Sequence, residues 1–188
     1  MEKNIAYIAL FAALTIALGL VPQITLAFGV PITAQGLGIM LCGTILGAKR
    51  GALAALLILL LVAIGLPVLS GGRGGLGIFV SATGGFLISW PLCAFITGLI
   101  VEKWRTGSLA IVATLASVIG SIIVMYIFGI IGMAIVLDKT LLEASALITA
   151  FIPGDIIKAI IAGLLTSAIA KARPASLFSR PALNQQAK

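Results

Sequence analysis

The sequence predicts an all-α integral membrane protein whose six transmembrane helices form a bundle. Three observations support this fold class. The 188 residues are 61% hydrophobic and 9% charged, with a mean hydropathy of +1.28, far from the composition of a soluble domain. The apolar residues form runs of roughly 20, the length that crosses the hydrocarbon core of a bilayer. Basic residues are concentrated at the chain ends and in every second loop between the apolar runs.

Proline, glycine and charged residues divide the chain into six predicted spans. They cover residues 5–21, 33–46, 52–66, 81–101, 108–137 and 147–170. The second and third spans are short and are separated only by residues 47–51, so we expect a helical hairpin with a tight turn. The fifth span is long, and Gly120, Gly129 and Gly132 are expected to let it tilt or bend.

The distribution of basic residues predicts the orientation. Arg73 and Lys139 lie on one side of the spans and Lys158 lies within a span, whereas the other nine of the 12 lysines and arginines share the opposite side. Cytoplasmic loops carry the excess of basic charge, so both termini are predicted to be cytoplasmic. The net charge of +7 is therefore attributed to topology, and no nucleic-acid partner is predicted. The nine are Lys3, Lys49, Arg50, Lys103, Arg105, Lys171, Arg173, Arg180 and Lys188.

Residues 1–171 form the predicted membrane domain. Residues 172–188 contain Pro, Ser, Asn and Gln and are predicted to be a disordered cytoplasmic tail that joins no core.

The first span carries Ala9, Ala13 and Ala17 at intervals of four residues. Small residues at this spacing form a stripe on one helix face and let another helix approach closely. The stripe is expected either to pack within the bundle or to dock a partner protein.

The loops predicted to face outward contain the candidate ligand contacts. Residues 66–77 are rich in glycine, which suggests either a lid over a pocket, with Arg73 binding a carboxylate, or a flexible turn. The residues that begin the second and fourth spans are expected to act as helix caps or ligand contacts. The candidates are Gly71, Gly72, Arg73, Gly74, Gly75, Thr33, Gln35, Ser81 and Thr83.

The sixth span contains two charged residues, Asp155 and Lys158. Each charge costs about 2.5–3.5 kcal/mol at the centre of a membrane helix, and the spacing of three residues places both on one helix face. One interpretation is an internal ion pair that specifies helix packing. The other is a polar ligand site, because an adjacent acceptor and donor match the edge of a urea-like group.

The composition also limits the classes of function. Histidine is absent, so the usual general base and most metal sites are missing. No Gly-x-x-x-x-Gly-Lys-Ser/Thr motif for binding ATP occurs, and we predict neither an enzyme nor a metal site. A stand-alone secondary transporter remains an alternative, with Asp155 and Lys158 in a proton or ion relay, although no inverted repeat is visible.

Taken together, these motifs resemble the BioY family, the biotin-specific substrate-binding subunits of energy-coupling factor transporters. The resemblance spans the membrane domain, and one departure is Phe86, where the family often has Tyr. The motifs that carry it are Val30-Pro31-Ile32-Thr33-x-Gln35, Gly47-x-x-Arg50-Gly51, Gly65-Leu66-Pro67-Val68, Gly71-Gly72, Thr83-Gly84-Gly85 and Pro153-Gly154-Asp155-x-x-Lys158.

This resemblance implies a six-helix bundle in a bacterial or archaeal cytoplasmic membrane that binds biotin from outside and needs no cofactor. It also implies a transmembrane coupling subunit docked on the alanine stripe, two cytoplasmic ATPase subunits, and surrounding membrane lipid. We expect the ureido group of biotin to lie near Asp155 and Lys158, with the valerate directed toward the glycine-rich loop and Arg73.

Overall fold

The computed structural model describes residues 2–26 and 29–180, which fold into eight α-helices that make up six spans. The predicted all-α membrane fold is confirmed. A two-stranded antiparallel hairpin, β1 (Ile24–Thr25) and β2 (Pro31–Ile32), joins the first two helices. The helices are α1 (Glu2–Leu18), α2 (Gln35–Leu46), α3 (Ala48–Ala63), α4 (Gly84–Lys103), α5 (Leu109–Ser117), α6 (Val124–Val136), α7 (Leu141–Ile148) and α8 (Ile152–Ala172).

Among the described residues, three apolar helical runs are long enough to cross a membrane by themselves, namely Gly84–Lys103, Leu109–Val136 and Leu141–Ala172. Helix α2 is shorter and lies at the centre of the bundle, where it packs against α1, α3, α4 and α8. Nearly all of its residues are buried. It is therefore shielded from lipid by its neighbours.

The turn between α2 and α3 is tighter than the predicted turn over residues 47–51. Helix α3 begins at Ala48, and Gly47 alone breaks the helical path, with φ of 83°. This backbone conformation favours glycine. The expected helical hairpin is present, with a one-residue break.

The fifth span is continuous, but its middle is a π-helical segment, Val118–Ile123, between α5 and α6. Gly120 lies in this segment, and a Cβ atom on it would lie 2.4 Å from the backbone nitrogen of Thr97 in α4. The fifth span therefore changes its helical pitch at a point where α4 leaves no room for a side chain.

The last span begins earlier than predicted. The sixth span was predicted to begin at residue 147, but α7 starts at Leu141, where Thr140 and Glu143 form a reciprocal capping box. A short 3-10 turn, Thr149–Phe151, separates α7 from α8. Asp155 therefore lies in the first turn of α8.

The structure differs from the expectation of a tail without a core at residues 173–180, which we call the C-terminal strap. Leu177 and Ser179 are completely buried. The Ser179 backbone N–H donates to the Ile45 carbonyl at 3.0 Å, and Arg180 donates to the Trp104 carbonyl. The strap packs across one end of the bundle, where Leu177 is buried and Ser179 and Arg180 form hydrogen bonds with α2 and with the C-cap residue of α4. Residues 181–188 of the predicted tail lie outside the described residues.

Candidate functional site

A cavity lies under the loops at the end of the bundle opposite the strap, and we call it the outer cavity. Its empty volume is about 660 Å³, which includes the open solvent at its mouth. Strand β2, the glycine-rich loop and the first turns of α2, α4, α6 and α8 all contribute to it. Its lining comprises Val30, Pro31, Ile32, Thr33, Gln35, Gly36, Leu69, Arg73, Ile78, Thr83, Phe86, Leu87, Trp90, Met125, Tyr126, Phe151, Asp155 and Lys158.

The walls of the outer cavity are largely aromatic and aliphatic. The rings of Phe86 and Phe151 lie 6.0 Å apart and are tilted by 42°, and Trp90 lines the same cavity. The Phe86 ring occupies the space where a side chain on Gly129 would project, since a Cβ atom there would lie 2.4 Å from the ring. Such walls favour a flat or cyclic apolar group.

The polar end of the outer cavity is built around Asp155, which is 3% exposed. Lys158 Nζ donates to Asp155 Oδ1 at 2.8 Å, and the Tyr126 hydroxyl donates to Asp155 Oδ2 at 2.7 Å. Pairing and hydrogen bonding offset the cost of burying this charge. The predicted pair on one helix face is therefore present and lines the cavity.

Sequence reasoning missed Tyr126, the third member of this group. A tyrosine inside an apolar run carries no strong signal by itself, because its ring packs like any other aromatic residue. Tyr126 lies in the first turn of α6, directly after the π-helical segment. A π-helical turn inserts residues relative to an α-helix, so the face on which Tyr126 falls could not be derived from α-helical periodicity.

Arg73 lines the outer cavity as predicted. Its Nε donates to the Ser70 carbonyl at 3.2 Å, and its backbone pairs with Leu69 in an antiparallel bridge. Partial burial lowers the pKa of the guanidinium from its ordinary value, although arginine stays protonated at any physiological pH. Arg73 thus places a cation on the cavity wall.

The four glycines of the loop that were predicted to contact a ligand, Gly71, Gly72, Gly74 and Gly75, do not line the outer cavity. Gly71, Gly72 and Gly75 have positive φ values of 77°, 69° and 87°. The N–H groups of Gly72 and Gly75 donate to the carbonyls of Leu69 and Val62. The loop is a hydrogen-bonded turn that holds Leu69 and Arg73 against the cavity, and Gly74 fits where a Cβ atom would meet the Leu66 carbonyl at 2.1 Å.

Gln35 lines the outer cavity, but its amide is engaged by the protein. Its Nε2 donates to the Val68 carbonyl at 3.1 Å and to the Thr15 carbonyl at 3.3 Å. Its Oε1 accepts the Ser70 N–H at 2.9 Å. Gln35 therefore ties the glycine-rich loop and α1 to α2.

The remaining polar candidates divide into two kinds. Thr33 and Thr83 line the outer cavity, whereas Ser81 does not. The Ser81 hydroxyl donates to the Ile78 carbonyl at 2.7 Å and lies 2.8 Å from the Thr83 hydroxyl. The Thr33 hydroxyl makes no hydrogen bond within residues 2–26 and 29–180, and it does not cap α2, whose N-cap residue is Ala34.

The alanine stripe lies on the exposed side surface of the bundle. Ala9, Ala13 and Ala17 are exposed, whereas Ala12 and Thr15 on the opposite face of α1 are buried. The stripe is therefore not used for packing against the part of the chain that the structure describes.

Membrane helices around an apolar cavity with a charged, hydrogen-bonded end define a membrane protein that binds a small molecule. The chain belongs to the BioY family, whose model matches residues 2–175. It is 52% identical to the biotin transporter BioY of Rhodobacter capsulatus, over 96% of this chain and 100% of that protein. It is 53% identical to the biotin transporter BioY of Rhizobium etli, over 89% of this chain and 92% of that protein.

A solved structure is also similar to this fold. It is the crystal structure of the S-component for biotin from an ECF-type ABC transporter, with a TM-score of 0.86 and 34% sequence identity. The match covers 90% of this chain and 92% of that chain. The two proteins therefore share their fold over most of the chain.

Proposed function

We propose that this chain binds biotin in the outer cavity and serves as the substrate-binding subunit of an energy-coupling factor transporter in the cytoplasmic membrane. Its membership of the BioY family and the names of its relatives support this proposal. The observation that carries it is the group of Asp155, Lys158 and Tyr126 at the polar end of an aromatic cavity. The chain itself is not an enzyme.

The hydrogen-bonding groups of Asp155 and Lys158 are complementary to those of a cyclic urea. Each Asp155 oxygen accepts one hydrogen bond from the protein and has a further lone pair for a ureido N–H. The Lys158 ammonium has three donors, of which one is used by Asp155, so it can also donate to the ureido carbonyl. Burial from water strengthens these interactions.

The other walls of the outer cavity indicate where the ring system and the valerate of biotin lie. The fused rings of biotin lie against Phe86, Trp90 and Phe151, which supply apolar contact without requiring hydrogen bonds. The valerate extends toward Arg73, whose planar guanidinium suits a carboxylate. A carboxylate tolerates the wetter end near the loop better than a ureido group does.

Accumulation of biotin requires an energised partner, since the sequence has no P-loop motif. We infer a transmembrane coupling subunit and two ATPase subunits. The coupling subunit docks on Ala9, Ala13 and Ala17, where small exposed side chains allow close approach of a helix.

Two measurements test this function. Calorimetry on the purified protein is expected to show saturable biotin binding, and absence of binding by a folded protein would refute the assignment. Uptake of labelled biotin is then compared in cells with and without a coupling module. Uptake that needs the module supports the subunit role. Uptake that survives without it but is abolished by a protonophore would instead identify a secondary transporter.

A further inference from the structure

A second cavity lies at the basic end of the bundle, far from the polar group around Asp155, and we call it the inner groove. It encloses about 750 Å³ including its open mouth, between α1, α3 and α4. None of its lining residues belongs to the outer cavity. They are Asn4, Ala48, Lys49, Arg50, Phe95, Leu99 and Glu102.

The inner groove has an apolar wall and a basic mouth. Phe95 and Leu99 lie one helical turn apart on α4 and form the wall, and Leu99 is 37% exposed. Lys49 and Arg50 lie at the start of α3. The positive-inside rule places this end of the helices at the cytoplasmic surface of the membrane, so the wall faces acyl chains and the mouth faces headgroups.

Arg50 is held in place in a way that leaves donors available. Its Nε donates to Asn4 Oδ1 at 3.0 Å, and its guanidinium lies 4.7 Å from the centre of the Phe178 ring. Its two terminal nitrogens make no hydrogen bond within the described part of the chain. A guanidinium fixed in this manner presents a preorganised pair of donors to a phosphate.

Glu102 is the acidic residue in the groove, and it is already engaged. Its Oε1 accepts the Ala48 N–H at 2.9 Å, which satisfies a free donor at the start of α3. Lys49 is exposed, and no ion pair involving Lys49 or Arg50 occurs among the described residues. The two cations therefore outnumber the single carboxylate, and the mouth of the groove favours an anion.

We propose that the inner groove binds an acidic phospholipid of the cytoplasmic leaflet. Its phosphate lies between Lys49 and Arg50, and one acyl chain lies along Phe95 and Leu99. A free anion would not need the apolar wall, and a neutral lipid would gain little from the two cations. The combination of an apolar wall with a basic mouth therefore favours an acidic lipid. Juxtamembrane basic residues attract acidic headgroups in this way.

The site is tested by native mass spectrometry. The full-length protein is titrated with phosphatidylglycerol or phosphatidylcholine in detergent, and the detergent is removed in the spectrometer. We expect phosphatidylglycerol to bind more tightly, and Lys49→Gln to weaken its binding about five-fold. Lys103→Gln is the matched control, because Lys103 is also an exposed lysine at the same end of the bundle but does not line the groove. It is expected to leave phosphatidylglycerol binding unchanged.

A second variant tests the apolar wall. Leu99→Trp keeps every charge and fills the groove, so it is expected to reduce phosphatidylglycerol binding. Equal binding of both lipids, or equal losses in Lys49→Gln and Lys103→Gln, would overturn the proposal. Displacement of phosphatidylglycerol by inorganic phosphate at similar concentration would identify a simple anion site and overturn it also. The elution volume of each variant in size-exclusion chromatography reports whether its fold is intact.

Discussion

Replacement of Asp155 by asparagine tests whether the buried ion pair binds biotin or only holds helices together. Asp155 accepts hydrogen bonds from Lys158 at 2.8 Å and from Tyr126 at 2.7 Å. Asparagine keeps the shape of the side chain but removes its charge, so a ureido N–H loses a charge-assisted acceptor. Hydrogen bonds to charged groups contribute about 1.5–3 kcal/mol, which corresponds to a roughly ten- to hundred-fold rise in Kd.

Titration calorimetry with biotin measures this change directly. Asp138→Asn is the matched control, because Asp138 is an exposed aspartate that does not line the outer cavity. Its φ of 51° is a left-handed conformation that asparagine also tolerates. The control is expected to bind biotin like the unaltered protein. Unaltered affinity in folded Asp155→Asn would refute the ligand role.

A double variant separates binding from stability. Lys158→Met alone leaves the Asp155 carboxylate buried without its counter-charge, and both stability and biotin binding are expected to fall. In Asp155→Leu/Lys158→Met both charges are gone, so most of the lost stability is expected to return, because apolar replacement of a buried pair is often neutral or stabilising, although the Tyr126 hydroxyl loses its acceptor. Biotin binding is expected to remain lost. Recovery of both properties would show that the pair serves only helix packing.

Three further variants test other parts of the molecule. Ala13→Trp is expected to leave biotin binding unchanged and to reduce co-purification with the coupling subunit, whereas Leu56→Trp, also on the exposed surface, is expected to change neither. Arg73→Ala is expected to reduce the preference for biotin over its amide by about ten-fold or more, the equivalent of about 1.5–3 kcal/mol. An unchanged ratio would place the valerate elsewhere. Leu177→Asp is expected to lower the thermal unfolding temperature far more than Ala175→Asp, because Leu177 is fully buried and Ala175 is exposed. Equal shifts would show that the strap adds no stability.

Much of the fold and part of the site could be predicted because they follow from strong local signals. Long apolar runs indicate spans, and charges such as Asp155 and Lys158 stand out where each is costly. The spacing of the alanine stripe likewise identified a face of α1, and the structure leaves that face exposed.

Other features depend on contacts that local patterns do not contain. The tail carries polar residues typical of disorder, yet Leu177 is fully buried as part of the apolar core. Glycines in the outer loop suggested ligand contact, whereas their positive φ values serve the turn. The hydrogen bonds that hold Gln35 involve partners 20 to 35 residues away, which sequence spacing cannot reveal.

The π-helical segment makes the site sensitive to chain length as well as to residue identity. Each residue of an α-helix turns the chain by about 100°, because 3.6 residues complete a turn. If the six residues Val118–Ile123 became α-helical with no change in length, everything after them would rotate and Tyr126 would turn away from Asp155. Deleting one residue of the segment, such as the exposed Ile119, would compensate for this change of pitch and keep Tyr126 in place. A relative with a single-residue gap between positions 118 and 123 therefore preserves the site only if its segment is α-helical, so chain length and helical pitch have to change together.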